Sequence, residues 1–327
     1  MVLIETINND FSTLDVIEWL KFYKVDYHII TPADIVSICL NQYDKTVEIT
    51  IGEKSFSLND ISGYWYRRGL YEVNMKKSSP YYDVNDEMVI SSYFHSTNEK
   101  NVILDYFHYL LNQKKTINSF LNPNVNKLAV LHKANEFGLK HPSHLLTNSK
   151  SDLETFFRKC KGKVITKVVS PSGGFDTKKH IISSYTELID KKFLNNLNPT
   201  FPSSYFQECI DKYFEIRAFY LNEKFYSMAI FSQESKKTSV DFRKYDRDTP
   251  NRCIPYNLPT EIEKKLKLLF ASLNLNSGSA DLILSKDSDY YFLEINPVGQ
   301  FGMVSFPCNY YLEREIALYF KNSNYYE

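Results

Sequence analysis

The stretch that most constrains this chain is DLILSKDSDYYFLEINP, residues 281–297. Asp281 leads an apolar run at 282–284, a polar turn follows at 286–289, and a second apolar run at 290–295 carries Glu294 and gives way to Asn296 and Pro297. Two apolar runs around a polar turn read as a β-hairpin. Pairing of its arms would bring the carboxylates of Asp281 and Glu294 to one end of a small sheet, with Asn296 adding a neutral oxygen. Oxygen ligands of this kind suit Mg²⁺, which takes one or two carboxylates together with the phosphates of a nucleotide. An ordinary hairpin with polar ends has the same pattern, so the metal reading needs support from the rest of the chain.

With 327 residues and 43% hydrophobic composition the chain can bury a sizeable core over two or three domains or subdomains. Its formal net charge of zero removes the bulk electrostatic case for nucleic acid or an anionic membrane. The five cysteines are scattered, odd in number and form no CxxC, which fits a reduced, cytoplasmic setting. The histidines form no HxxxH or HExxH pattern, and His141 and His144, flanking a Pro-Ser turn, read as structural. The first residues are acidic and lack the basic region of a signal peptide, and no apolar run is long enough to span a bilayer.

Taken in order, 1–5 reads as a strand, 14–23 as a helix with Thr13 as its cap, and 25–30, 36–40 and 46–51 as strands. Strand, helix, strand predicts an α/β amino-terminal domain, 1–120. It contains YWYRRG at 64–69, where Arg67 and Arg68 offer planar forks for a carboxylate or phosphate. A long helix follows at 86–113, with a break suggested near 96–98. An Asn-rich loop at 118–126 marks the boundary to a central domain, 121–203. There 127–137 reads as a helix, 143–147 as a strand, 151–160 as a helix with a Ser151/Glu154 capping box, and 163–169 as a strand. SPSGGFD at 170–176 reads as a flexible hairpin tip before a returning strand at 178–183, with a helix at 187–194. The carboxy-terminal domain, 204–327, starts with a strand at 204–210 and a hairpin of 215–221 with 224–232. A polar loop at 235–251 and a helix at 260–273 precede the opening hairpin, and a helix at 312–321 closes the chain.

Several weak motifs fall in one order: Lys127 opening a helix, Lys167 before SPSGG, FQECI, EIRAF, DFRK, then Asp281 and Glu294-Ile295-Asn296. That order resembles the ATP-grasp superfamily over roughly 124–320, which implies an α/β (α+β) ATP-grasp fold using ATP and Mg²⁺. The resemblance implies that Lys127 and Lys167 reach the nucleotide phosphates and that Ser172, Gly173 and Gly174 form the loop closing over them. Gln207, Glu208 and Ile210 match the linker strand that pairs with adenine, Glu215 the acid that holds the ribose, and Asp281, Glu294 and Asn296 the magnesium ligands. The chain departs from a common pattern in reading Glu215-Ile216-Arg217 for Asp-x-Arg and Asn296-Pro297-Val298 for Asn-Pro-Asn. The first departure leaves Glu215 between a ribose and a peptide contact.

YWYRRG, DFR at 241–243 and NPVGQF at 296–301 narrow the resemblance to the graspetide synthetases, which include microviridin-type macrocyclases and grasp-with-spasm maturases. Such enzymes mature a ribosomal precursor peptide, a leader plus a core, as one class of RiPP (ribosomally synthesised, post-translationally modified peptide) biosynthesis. Side-chain carboxylates of the peptide are activated by ATP and joined to Thr or Ser as esters or to Lys as amides. The resemblance implies Arg217, Arg243 and Lys167 as catalytic residues, and Arg67, Arg68, Glu215, Arg217 and Gln300 as peptide contacts. The leader is expected on 142–193, and a homodimer stays open. Two alternatives share the ATP site: a carboxylate–amine ligase for free amino acids or a protein carboxy terminus, and a nucleotide-binding regulatory protein without catalysis.

Overall fold

The computed structural model describes all residues except 42, 44–45, 70–71, 74–86, 119–124, 171–173, 177–180, 184, 236–237, 245 and 323–327. The chain divides into two compact units, Met1–Pro123 with Tyr311–Glu327, and Asn124–Tyr310.

In the first unit β1 (Val2–Glu5), β2 (Tyr27–Ile30), β6 (Gly63–Tyr66) and β8 (Lys115–Ile117) form a parallel sheet in the order β2-β1-β6-β8. The fully buried runs VLIE and GYWY are what a parallel sheet covered on both faces requires. Leu3, Tyr64 and Tyr66 share a core with Leu104, Phe107 and Leu111 of α2 (Glu87–Leu111). Val36 of β3 (Ile35–Asn41) and Ile49 and Ile51 of β4 (Thr46–Ile51) complete it. Strands β5 (Lys54–Ser57) and β7 (Glu72–Val73) flank β4 and β3 in a second sheet. Helix α1 (Phe11–Phe22) packs against the closing helix, α8 (Leu312–Lys321). The closing helix therefore belongs with the amino-terminal sheet, although its place in the sequence suggested the carboxy-terminal domain.

Besides a two-stranded pair, 174–176 with 181–183, the second unit holds two larger antiparallel sheets among the described residues. The smaller has the order β13-β10-β14-β9, from β9 (His144–Ser149), β10 (Val164–Thr166), β13 (Glu187–Ile189) and β14 (Thr200–Glu208). Helices α4 (Lys150–Lys159) and α5 (Lys191–Asn196) cover one face through Leu153 and Leu194, against Val164, Ile189 and Phe206. The larger has the order β17-β16-β15-β18-β19, from β15 (Lys212–Leu221), β16 (Lys224–Phe231), β17 (Arg252–Tyr256), β18 (Ser277–Ser285) and β19 (Tyr290–Asn296). Its core face, with Ile216, Ala218, Tyr220, Ala280, Leu282, Phe292 and Ile295, packs on α3 (Lys127–Glu136) and α6 (Thr260–Ser272). Helix α7 (Gly302–Cys308) follows β19. Among the described residues no helix is long and apolar enough to cross a membrane.

Several local expectations change. Asp10, not Thr13, precedes α1, and Thr13 is buried one turn in. Ser149, not Ser151, caps α4 by accepting from the Asp152 amide, so the Ser151/Glu154 box does not form. Helix α2 runs unbroken through 96–98. The helix expected at 187–194 is a strand and then a helix, because 187–189 pairs with β10 and the Asp190 carboxylate accepts from the Phe193 amide to start α5. Gly174 opens β11 (Gly174–Asp176), which pairs with β12 (Ile181–Ser183), so 174–176 is a strand arm and not part of a loop. Ser172, Gly173 and residues 177–180 lie outside the described residues.

Candidate active site

The strands β15, β18 and β19 alternate apolar residues toward the core with polar ones on the opposite face, as an antiparallel sheet with one face on a core should. Arg217, Asp281 and Glu294 fall in one row across the three strands, because Arg217 pairs with Asp281 and Asp281 with Glu294. Regular alternation would not place Glu294 there. Phe292 faces the core, so Glu294, two residues on, should do the same. The register shifts between Asp281 and Leu282, leaving Leu293 as an extra residue. This bulge turns Glu294 to the side of Asp281 while Ile295 returns to the core.

Cations surround the two carboxylates. Arg217 Nη1 donates to Asp281 Oδ1 at 2.8 Å and Oδ2 at 2.7 Å. Lys127, the first residue of α3, lies with its Nζ 3.0 Å from Glu294 Oε2. The Asn126 side chain caps that helix by accepting from the Leu128 and Ala129 amides, which fixes the lysine's stem. Lys167 sits just past β10, with its Nζ 5.9 Å from the Tyr205 ring centroid. Burial pushes the Lys167 amine below its ordinary value, against the attraction of Glu294, and Lys127 beside it adds to the fall. Burial also raises Asp281, with Arg217 opposing and Glu294 reinforcing the rise. For Glu294, burial works upward, but Lys167 and Lys127 outweigh it and hold the carboxyl below its usual range. Adjacent carboxylates titrating in opposite directions mark a charge-organised site.

Asn296 pairs with Ser279 on the same strands, and its Oδ1 accepts from the Gly299 amide at 3.3 Å. Gly299 has φ +54°, and a Cβ there would lie 3.0 Å from the Phe219 ring and 3.2 Å from the Gly278 backbone. The turn after β19 therefore needs glycine to seat Asn296 against the sheet. Among the described residues no three His, Cys, Asp or Glu side chains are grouped to hold a metal. Two carboxylates and an amide oxygen are an incomplete cage. That donor set fits Mg²⁺ completed by nucleotide phosphates, and Lys127 and Lys167 place two cations near Glu294.

The expected adenine linker joins the two sheets. Gln207 and Glu208 end β14; the Glu208 amide donates to Ser143 O at 2.8 Å and the Cys209 amide to Lys163 O at 2.9 Å. Glu208 Oε2 accepts from the Ser143 amide at 3.3 Å, and Ile210 is half-buried in the connection 209–211. Gln207 is buried and accepts a hydrogen bond from Tyr205. Glu215 lies on the face of Arg217 but is committed to the Lys212 ammonium. Burial pushes its carboxyl up, and Lys212 opposes the rise. Lys212 reaches it because the register shifts between Lys212 and Phe214, which brings residues three apart to one face.

Arg243 lies in the polar loop after β16, pairs with Asp241, and is close enough for its charge to act on Asp281, Glu294 and Lys167. Gln300 is exposed beside the Gly299 turn. Arg67 and Arg68 belong to the other unit. Arg67 is 1% exposed, with its Nε 3.2 Å from Asp10 Oδ2, and its pKa is lowered to about 10 by burial. Arg68 is half-buried, and its amide donates to Glu5 O at 3.2 Å. Sequence reasoning missed Tyr205, Lys212 and Asp241. Only DFR carried a signal for any of them, and it drew attention to the arginine.

No protein-family profile and no curated protein matches the chain. Solved structures do. The macrocyclase MdnC from Microcystis aeruginosa MRC, bound with the precursor peptide MdnA, is 26% identical with a TM-score of 0.76, over 98% of this chain and 99% of that one. A RiPP-associated ATP-grasp ligase from Chryseobacterium gregarium, in complex with ADP and a leader and core peptide, is 25% identical with a TM-score of 0.78, over 98% and 95%. D-alanyl-alanine synthetase A from Vibrio cholerae shares the fold alone, at 9% identity and a TM-score of 0.52 over 98% and 97%. The chain is thus an ATP-grasp protein, built over nearly its whole length like the peptide-bound macrocyclase and the RiPP-associated ligase.

Proposed function

We propose that this chain is an ATP-dependent peptide macrocyclase, a maturase that crosslinks side chains within a ribosomal precursor peptide. The observation that carries the reading is the row Arg217–Asp281–Glu294, with Lys127 and Lys167 against it, on a fold shared along its length with a macrocyclase structure bound to its precursor peptide. In this reading the substrates are ATP and a peptide of leader plus core, and the setting is the cytoplasm.

A peptide Asp or Glu oxygen attacks the γ-phosphorus of ATP. The bond to the β-phosphate oxygen breaks, and an acyl phosphate and ADP result. A Thr or Ser hydroxyl, or a Lys amine, then attacks the acyl carbon, and inorganic phosphate leaves with the carboxyl oxygen it had captured. Each crosslink removes one water in net terms. Mg²⁺, held by Asp281, Glu294 and Asn296, would supply charge neutralisation at the phosphates.

The chain's own residues position and screen. Lys127 and Lys167 bind the phosphate oxygens, and the phosphate loop of this reading is Ser172, Gly173 and Gly174, of which the first two lie outside the described residues. Gln207, Glu208 and Ile210 line the adenine edge through the backbone between the sheets. Glu215, held by Lys212, faces the ribose or the peptide. Arg217 and Arg243 hold the reacting carboxylate, and Gln300 contacts the peptide beyond the Gly299 turn. Arg67 and Arg68 contact the peptide in this reading, although the Arg67 side chain already serves Asp10. Phosphoryl transfer depends mainly on such positioning and charge placement, and an acyl phosphate has to be screened from water.

The test incubates the protein with ATP, Mg²⁺ and synthetic leader-plus-core peptides rich in Thr, Lys and Glu, in parallel with free amino acids. Mass loss of one water per crosslink, with ADP formed in step, is expected for the peptides. ADP formed only with free amino acids would replace this reading with a small-molecule ligase. Nucleotide binding without ADP formation in any mixture would replace it with a regulatory protein.

A further inference from the structure

Asp241 makes no contact with the carboxylate row, yet it is 4% exposed in a loop whose adjoining residues 239–240, 242 and 244 are only half-buried and whose Arg243 is exposed. Its carboxylate accepts four hydrogen bonds. Oδ1 takes the Arg243 amide at 3.1 Å and Arg243 Nε at 2.9 Å. Oδ2 takes Arg243 Nη2 at 2.6 Å and, from a distant part of the chain, the Thr186 amide at 3.1 Å. Thr186 lies between β12, the return arm of the glycine-bearing hairpin, and β13. The neighbouring residues repeat the link. Lys244 Nζ is 2.6 Å from Glu187 Oε1 and 5.7 Å from the Tyr185 ring centroid.

Arg243 is 55% exposed at its side chain. An arginine that open on a loop samples many rotamers, and holding it in one costs entropy. The two-pronged contact from Asp241 removes that freedom along the planar fork and leaves one guanidinium nitrogen uncommitted to Asp241, within range of the charges of Asp281 and Glu294.

We infer that Asp241 is a positioning residue that clips the polar loop to the Thr186–Glu187 segment and thereby holds Arg243 in its working place. The clip rests on the macrocyclase reading for its catalytic consequence, but not for its existence. Arg243 is thereby held through two parts of the chain at once, its own loop and the segment before β13.

The experiment has two readouts. The first is hydrogen exchange at the Thr186 amide in wild type, Asp241→Asn, Asp241→Ala and Glu187→Gln. The second is steady-state turnover of ATP and Mg²⁺ with a Thr- and Glu-rich synthetic peptide that the wild type crosslinks. Loss of Asp241 should speed Thr186 exchange at least tenfold. It should lower kcat roughly 10- to 100-fold while KM for ATP stays within about twofold. Arg243→Ala added to Asp241→Ala should cost little further, because both remove one unit, and Asp241→Glu should recover part of kcat. Unchanged Thr186 exchange in Asp241→Ala, or additive losses from Asp241→Ala and Arg243→Ala, would overturn the inference. A wild type that turns over none of the peptides would sink the macrocyclase reading instead, and Thr186 exchange would still decide the clip.

Discussion

Arg217 and Asp281 face each other across neighbouring strands, and a single guanidinium nitrogen donates to both carboxylate oxygens. Asp281 is thus both a proposed metal ligand and the counter-charge of a buried arginine. Removing it should therefore harm the fold as well as the chemistry. Asp281→Asn is expected to abolish ATP turnover and to destabilise by about 3 kcal/mol, because Arg217 is left buried and poorly paired. Arg217→Met with Asp281→Leu should regain most of that stability and none of the activity. Urea unfolding beside an ADP assay separates the two effects, and recovery of turnover in the double variant would refute the assignment.

Lys127 and Glu294 form a more open pair, with side chains 22% and 26% exposed. Such a pair contributes only about 0–1 kcal/mol. Lys127→Ala should melt within a few degrees of wild type yet raise the ATP concentration needed for half-maximal rate roughly 10- to 100-fold, the worth of a charged hydrogen bond to phosphate. Thermal melts with and without ATP and Mg²⁺ give the comparison. A normal ATP requirement would place Lys127 outside the phosphate site.

Gly299 tests the seat of Asn296. Alanine at φ +54° would be strained and would press on the Phe219 ring and the Gly278 backbone. A loss of about 1–3 kcal/mol is expected. The Mg²⁺ concentration needed for activity should also rise, because the Gly299 amide that holds Asn296 Oδ1 shifts with the turn. An unchanged Mg²⁺ requirement would detach Asn296 from the metal.

Asp241 gives a pH signature. Burial alone would raise its carboxyl, but bonds from Arg243 and the Thr186 amide bring it down from 3.8 to about 2. A carboxyl with a lowered folded pKa contributes stability that is complete above its unfolded pKa and is lost as pH falls through the folded one. The contribution, about 2 kcal/mol, should be full at pH 5 and nearly gone by pH 2. The stability gap between wild type and Asp241→Asn, followed by urea unfolding across that range, should close on acidification. A gap that stayed constant would mean the carboxylate is not so held.

The hairpin 277–296 was legible in the sequence because its two apolar runs sit around a polar turn. So was the order of strands and helices around it, since alternation and helical spacing are local properties. The presence of Glu294 on the functional face was not derivable from alternation, which sends it to the core with Phe292; only pairing with a neighbouring strand fixes the extra residue at Leu293. Segment 187–189 failed for the same reason, since its strand state depends on Val164 and Ile165 opposite. The Asp10 partner of Arg67 was hidden for a different reason. An arginine pair after aromatics has the same spelling whether it meets a ligand or an internal Asp10, and the partner lies 57 residues away, as 67 minus 10.

The amino-terminal sheet has a hole cut for a late arrival. Gly63 lacks a side chain where the Phe320 ring sits, and a Cβ there would be only 2.8 Å from it. During synthesis, the strand that bears this notch leaves the ribosome some 250 residues before the helix that fills it, as 312 minus 63. The unit 124–310 is made in the interval as one continuous stretch, whereas the unit begun first is completed only by the closing helix. The amino-terminal unit is thus tied together by the two most distant parts of the described chain, and a truncation that removes residues 311–322 would empty the notch at Gly63.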